Sequence, residues 1–317
     1  MYHRKGARMN EIGRKIVDKL IELHGSKDFK IAFLPYKRSM WNSMSSVYDE
    51  CIRSGIDAHV YPIPYLRMDT KEVVSDYEYF ENAEDIETLS DPDYIAIHYY
   101  YDDLNAVTNM LPEYYTNAIK ERYKCKIIFL PYGIKYTNTP EGFFLYTGFR
   151  DMDYIFTTEI NEEFINAWKE QGVDFTGRIF DYGSAKLDAA RNITNEKTDT
   201  TLILNSLVPY LNNPYRSILN YLMYALREIS KWRKVIFRPH PLLRISIKTS
   251  APESEPYYDF LIKELHALGV TIDESEYLER ALCAADYLIS DPSSVLIMWK
   301  ETGKPYTEIG GNNGQDI

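Results

Sequence analysis

Two doubly wound α/β domains in tandem are what this sequence predicts, and three observations predict them. Short β-type runs alternate with helical stretches from Lys30 onward, the spacing of parallel sheet with right-handed crossovers. A polar segment, Arg191–Thr200 (RNITNEKTDT), interrupts the hydrophobic pattern and divides the series in two. The length of 317 residues suggests about two domains as well.

The chain opens on an amphipathic helix. Ile12, Ile16, Leu20 and Leu23 lie along one stripe, and Gly25 suits its stop. Arg4, Lys5, Arg8, Arg14 and Lys15 make its start basic. A membrane-surface or partner helix is one use of that start; a helix packed on its own domain with a solvated basic face is the preferred reading. The first domain follows, with strands expected at Ile31–Pro35, Ala58–Pro62, Tyr94–His98, Lys126–Pro131, Tyr154–Thr157 and Arg178–Tyr182. Helices are expected at Met40–Ser54, Pro112–Lys120 and Glu159–Gln171. After the linker, strands are expected at Thr201–Ser206, Lys234–Arg238, Val270–Ile272, Tyr287–Ser290 and Pro305–Glu308. Helices fit Pro214–Lys231, Tyr257–Leu268, Glu276–Ala284 and Ser293–Thr302. The resulting division is a helix at 1–29, an N-terminal domain at 30–192 and a C-terminal domain at 193–317.

Composition narrows the function. Apolar residues make up 45% of the chain, enough for sizeable cores, and 36 basic residues face 47 acidic ones for a net charge of -11. That balance argues against a general nucleic-acid binder, which needs a clustered basic face. Cys51, Cys125 and Cys283 are odd in number, widely spaced and not in CxxC pairs, so neither a disulfide framework nor a zinc site is expected, and a reducing cytosol fits. No apolar run is long enough to span a bilayer and the start lacks a signal-peptide core, so a soluble, cytoplasmic chain is expected. The 28 tyrosines, including Tyr99-Tyr100-Tyr101, are explained first by strand formation.

Two segments carry chemistry. In KVIFRPHPLLR, the prolines 239 and 241 push Arg238 and His240 out of the helical region. Two residues apart in extended chain, both side chains point to one side at the C-terminal end of a strand. Arg offers a planar fork of donors and His can donate or move a proton, a pair that suits a pyrophosphate. The plain alternative is that Arg238 pairs with a local acid and His240 caps a loop. In AADYLISDPSSVL, a buried strand ends in Asp291-Pro292-Ser293-Ser294 and enters an apolar helix. Asp291 is expected as the N-cap and Pro292 as the first helical residue, leaving Ser293 and Ser294 with backbone N–H groups at the positive end of the helix. Ordinary capping is the alternative here. There is also a tension: Asp291 has to turn away from any phosphate bound there.

RPHP, AADYLISDPSSV and GKPY together resemble the CDP-glycerol glycerophosphotransferase family, whose members build teichoic acids and related bacterial surface and capsular polymers. Gly183-Ser184-Ala185-Lys186-Leu187-Asp188 is similar to the family's G-x-P-(R/K)-x-D segment, and FLPYKRSMWNSMSSVYDE to the opening strand and helix of one branch. The resemblance implies a GT-B fold, two Rossmann-like domains with a cleft between them. It implies a CDP-polyol donor, a polymer or lipid-linked acceptor and release of CMP. No metal motif is present, and Arg238, His240 and a helix end can neutralise the diphosphate, so no bound cofactor beyond a loosely held Mg²⁺ is expected. It also implies work at the inner membrane face, with peripheral membrane contact. Carried over by motif, Arg238 and His240 contact the diphosphate, Ser293 and Ser294 hold its oxygens, and Asp291, Lys186 and Ser206 are further substrate-binding candidates. The family's W-H-G-x-x-x-K segment, with its basic His, is matched here by Leu130-Pro131-Tyr132-Gly133-Ile134-Lys135. An unperturbed tyrosine, with a pKa of about 10, is a poor base at neutral pH. His240, Tyr132, His98 and Asp102 are therefore the catalytic candidates. The chain ends at GGNNGQDI where a GT-B protein continues into further helices, so truncation is expected. Two other readings stay open: a GT-B sugar-nucleotide enzyme, either glycosyltransferase or epimerase, and a non-catalytic nucleotide- or polymer-binding subunit.

Overall fold

A computed structural model describes residues 10–105, 107–134, 144–157, 162–193, 197–205, 214–241, 243–275 and 277–309. The chain divides into two compact units, Met1–Ala189 and Ala190–Ile317.

In the first unit, β1 (Lys30–Phe33), β2 (Asp57–Val60), β5 (Tyr94–Ile97), β7 (Lys126–Phe129), β8 (Tyr154–Thr157) and β9 (Ile179–Asp181) form one sheet in the order β2-β1-β5-β7-β8-β9. Every pairing is parallel. The central strands are apolar runs such as Tyr-Ile-Ala-Ile, buried at each position, as a sheet covered on both faces requires. Helices α1 (Glu11–His24), α2 (Ser45–Ser54), α3 (Thr116–Tyr123) and α4 (Glu162–Glu170) belong to this unit. The sequence reading of a helix over Met40–Ser54 resolves into a 3-10 turn at Arg38–Ser43 followed by α2.

α1 packs directly on α2. A β-carbon on Gly13 would sit 2.5 Å from the Ser46 carbonyl oxygen, so glycine is what allows the two backbones to approach. The start of α1 is held by Asp188, whose carboxylate accepts from the backbone N–H of Ile12 (3.2 Å) and Gly13 (2.8 Å). An acid at a helix N-terminus satisfies otherwise unpaired donors. α5 (Lys186–Arg191), which carries Asp188, is thereby tied to α1.

Three short strands were not foreseen. β3 (Tyr65–Arg67), β4 (Val73–Val74) and β6 (Thr108–Met110) make a small antiparallel sheet in the order β4-β3-β6. At two or three residues each, they are too short to show period-two alternation.

In the second unit, β10 (Thr200–Asn205), β11 (Lys234–Pro239), β12 (Thr271–Ile272), β13 (Tyr287–Ser290) and β14 (Tyr306–Glu308) are ordered β12-β11-β10-β13-β14, again all parallel. Counted within the unit this is 3-2-1-4-5, so the direction of winding reverses between β10 and β13. Ligands of open α/β sheets bind at such a reversal, outside the carboxyl ends of the strands. α6 (Pro214–Ser230), α7 (Leu243–Ser250), α8 (Glu255–Ala267), α9 (Leu278–Ala284) and α10 (Ser294–Thr302) accompany the sheet. Ile203, Ile218, Tyr221, Phe237, Tyr258, Leu261 and Ile289 pack its core.

Candidate functional site

The strand-end segments of the second unit meet at the winding reversal. β10 ends at Asn205, and β11 runs beside it in register to Pro239. Past the end of β11, the His240 backbone N–H donates to the Asn205 carbonyl at 2.8 Å, and the Leu243 N–H donates to the His240 carbonyl at 2.8 Å. The RPHP segment is thus fixed to the end of β10 and turns at once into α7. On the other side of β10, β13 ends at Ser290 and leads to α10. One crevice edge therefore carries His240, Asn205, Asp291 and the start of α10.

The capping of α10 differs from the expectation. Ser293, not Asp291, is the N-cap: its extended backbone (φ -157°, ψ 165°) precedes the helix, and its Oγ accepts from Leu296 N–H at 3.2 Å. Ser294, not Pro292, is the first helical residue. Two serines and an acid compete for one cap, and the serine immediately before the helix wins because its oxygen reaches the third helical N–H. The serine hydroxyl takes one donor, so the amides of Ser294 and Val295, which lack intrahelical acceptors by geometry, remain for another acceptor. Ser294 is exposed.

Asp291 is buried at 7% exposure. Burial, then the neighbouring Asp291 carboxylate, raises the Tyr221 phenol, which lies against both Asn205 and Asp291. The Asp291 carboxylate thus lies against Tyr221 of α6.

Arg238 is where the plain alternative holds. It is buried at 6% exposure, and its guanidinium donates to Asp273 Oδ2 at 2.6 Å, to the Ser275 carbonyl at 2.7 Å and to Ser275 Oγ at 3.4 Å. Burial opposes ionisation of Asp273, but bonds from Ser275 and Arg238 outweigh it and hold its carboxyl below the usual range. The expected pair of side chains presented together is thus divided: Arg238 is committed beyond β12, while His240 is exposed at the tip. Although exposed, the His240 ring is desolvated enough by its surroundings to lower its pKa, so it is neutral at pH 7. Ser206 lies outside the described residues.

GKPY has a structural role of its own. Lys304 is buried at 6% exposure, and its Nζ donates to the carbonyls of Leu282 (3.0 Å) and Ala285 (2.7 Å), closing the C-terminal end of α9. Burial lowers its pKa.

The first unit collects the remaining candidates at the corresponding edge of its own sheet. His98, just after β5, is fully buried. Its Nε2 accepts from Tyr36 N–H at 3.3 Å, so the ring hydrogen sits on Nδ1, 3.4 Å from Ser43 Oγ. Burial lowers its pKa to about 3. A ring with its lone pair engaged and no access counts against the expectation that it takes a substrate proton. Asp102, in left-handed backbone (φ 45°), accepts from the Thr116 N–H (3.1 Å) and hydroxyl (3.2 Å) at the start of α3. Burial raises its pKa to about 6, with the Thr116 bonds opposing. A β-carbon on Gly148 would lie 2.8 Å from Asp102 Oδ2, so the carboxyl is walled in by backbone. It too has a local structural job. Tyr132 is half-buried, and burial first, then Tyr146, pushes its phenol up, further from use as a base. The Tyr132 carbonyl accepts from Lys186 Nζ at 3.3 Å, so that lysine ties α5 to the end of β7. Lys135 lies outside the described residues. Around these groups the Tyr36 and Tyr101 hydroxyls meet at 2.5 Å, with Thr108 Oγ1 beside both.

Sequence reasoning missed Asn205, Tyr221, Asp273 and Ser275. Asp273 carries a readable signal, an acid just past the neighbouring strand; Tyr221 sits mid-helix among other apolar residues and carries none.

No family model matches the chain, and no curated protein matches it in sequence. Solved structures do match. A putative UDP-N-acetylglucosamine 2-epimerase from Listeria monocytogenes superposes with a TM-score of 0.53 at 12% identity, covering 89% of this chain and 79% of that one. The UDP-GlcNAc 2-epimerase from Neisseria meningitidis gives 0.50 at 15% identity, covering 88% and 82%. The wall teichoic acid polymerase TagF covers 94% of this chain and 78% of its own at 14% identity, with a TM-score of 0.42. At these identities the likeness concerns the fold, which is GT-B.

Proposed function

We propose that the protein transfers a polyol phosphate, glycerol phosphate being the first choice, from a CDP-polyol donor to an acceptor hydroxyl on a surface or capsular polymer, releasing CMP. The observation that carries this reading is the meeting of RPHP and DPSS on either side of β10, at the winding reversal of the second sheet. The donor's diphosphate would take the free amides of Ser294 and Val295, and His240 would stand at the opposite lip. A neutral imidazole there suits a proton acceptor for the attacking hydroxyl better than a fixed positive charge. Arg238 would act indirectly, its bonds to Asp273 and Ser275 holding the strand end that presents His240.

The test is CMP release from CDP-glycerol in the presence of a polyol-phosphate acceptor, alongside thermal shift with CDP-glycerol, CDP-ribitol and UDP-sugars. CMP formation with stabilisation by a CDP-polyol supports the reading. Stabilisation by UDP-sugars alone would reject the donor and leave a sugar-nucleotide enzyme on the same fold.

A second reading, a non-catalytic nucleotide-binding subunit, is favoured by one observation: Tyr132 occupies the place of the family's basic histidine, and His98 is sealed. CMP release eliminates it.

A further inference from the structure

We infer that the second unit docks on an anionic lipid surface through the outer face of α6 and the turn that follows it. The inference stands apart from the choice of donor. α6 is apolar on more than its core side. Ile218, Tyr221 and Ala225 are buried, while Leu219, Met223 and Leu226, spaced as one stripe on the opposite face, are 44%, 49% and 48% exposed. The turn after the helix, Lys231-Trp232-Arg233, leads into Lys234 at the start of β11, and in it Trp232 is 94% exposed and held in left-handed backbone at φ 62°. A large aromatic in strained backbone, with its ring in water, is otherwise unaccounted for. α8, packed against α6, adds exposed Tyr257 and Phe260.

The charges select the occupant. The chain as a whole is acidic at -11, yet this turn places three cations in four residues. The acids that pair with them point inward: Glu228, bonded to Lys231, is 1% exposed, and Asp286, paired with Arg233, is 15% exposed. Lys231 remains 51% exposed and Lys234 is exposed. On α8, the acids Glu255 and Asp259 are offset by Lys248 and Arg244, and the third, Glu264, is half-buried. Lysine is depleted from the centre of protein–protein interfaces but rims interfacial helices, where tryptophan sits at headgroup level. No described helix is long and apolar enough to cross a membrane, so the contact is with the surface.

The experiment is flotation of the full chain with phosphatidylcholine vesicles, with and without phosphatidylglycerol, for the wild type, Met223→Glu, Trp232→Ala and Lys231→Glu/Lys234→Glu. All are exposed positions, and circular dichroism melting checks that each variant folds. We expect binding to the anionic vesicles, a loss of about tenfold or more in each variant, and little binding to phosphatidylcholine alone. Absence of wild-type binding, or binding that survives Met223→Glu and Trp232→Ala together, overturns the inference. So does a dimer that Met223→Glu dissolves in the absence of lipid binding, which would assign the face to a second copy.

Discussion

The carboxyl-end edges of the two sheets occupy equivalent places in two doubly wound units, yet they are built for opposite ends. In the first unit the edge is closed: His98 is buried and neutral, Asp102 is walled in by Gly148, and Tyr36, Tyr99 and Tyr101 pack over them. In the second unit the edge is open: His240 and Ser294 are exposed, and a helix N-terminus faces outward. Polar residue type alone therefore does not mark a site. What separates the edges is exposure: the polar side chains of the first are buried, and those at the lip of the second reach solvent.

His240→Ala should produce the largest effect on activity. If His240 takes the proton, CMP release falls by about two to four orders of magnitude while the melting temperature holds. Because its pKa is lowered, the wild-type rate should stay flat through pH 7 and fall only as acid protonates the ring. A His240→Gln variant that keeps the rate would assign the residue a holding role instead.

The closed edge predicts a stability effect of several kcal/mol. His98 has a folded pKa of about 3, below its unfolded value of about 6.5, so its neutral form stabilises the fold at neutral pH. That contribution is lost as pH falls from the unfolded value toward the folded one. Asp102 has the opposite sign: with a folded pKa of about 6 it stabilises below its unfolded pKa, and the benefit is lost as pH rises through about 6. The two partly cancel in mild acid. Asp102→Asn keeps an acceptor for Thr116 and tolerates left-handed backbone, so at pH 8 it should gain on the order of 2 kcal/mol and become more acid-sensitive than the wild type. Urea melts at pH 4, 6 and 8 check this, and unchanged pH dependence would contradict the assignment.

Lys304→Met should cost about 1–3 kcal/mol, because it leaves the Leu282 and Ala285 carbonyls without their donor. The measurement is the same denaturant melt, with donor affinity unchanged. The smallest pair separates capping from binding. Ser293→Ala should cost about 1 kcal/mol of stability through the lost cap, whereas Ser294→Gly/Val295→Pro, which removes an amide, should leave the fold nearly intact and weaken donor binding. Equal effects in both would erase the distinction.

Much of the fold was legible in the sequence because its strands are short apolar runs with clear borders. YLIS and YIFT are found at the residues read for them, and the six and five parallel strands follow the alternation. The antiparallel β3, β4 and β6 were not legible, being shorter than one period of evidence. The site was legible in part. RPHP and DPSS announce rigid polar strand ends, but Arg238's commitment depends on Asp273, 35 residues away across a strand pairing that no local pattern reveals. Likewise the choice of Ser293 over Asp291 as cap turns on which oxygen reaches the Leu296 N–H, a matter of backbone angle rather than residue type.

The most direct test of the contrast between the edges is a crystal structure with CDP-glycerol bound. The account predicts the diphosphate at the start of α10, beside Ser294 and within reach of His240, with Arg238 still bonded to Asp273. A donor whose phosphates lie instead against Tyr36, His98 and Tyr132, or that draws Arg238 away from Asp273 onto itself, would contradict it.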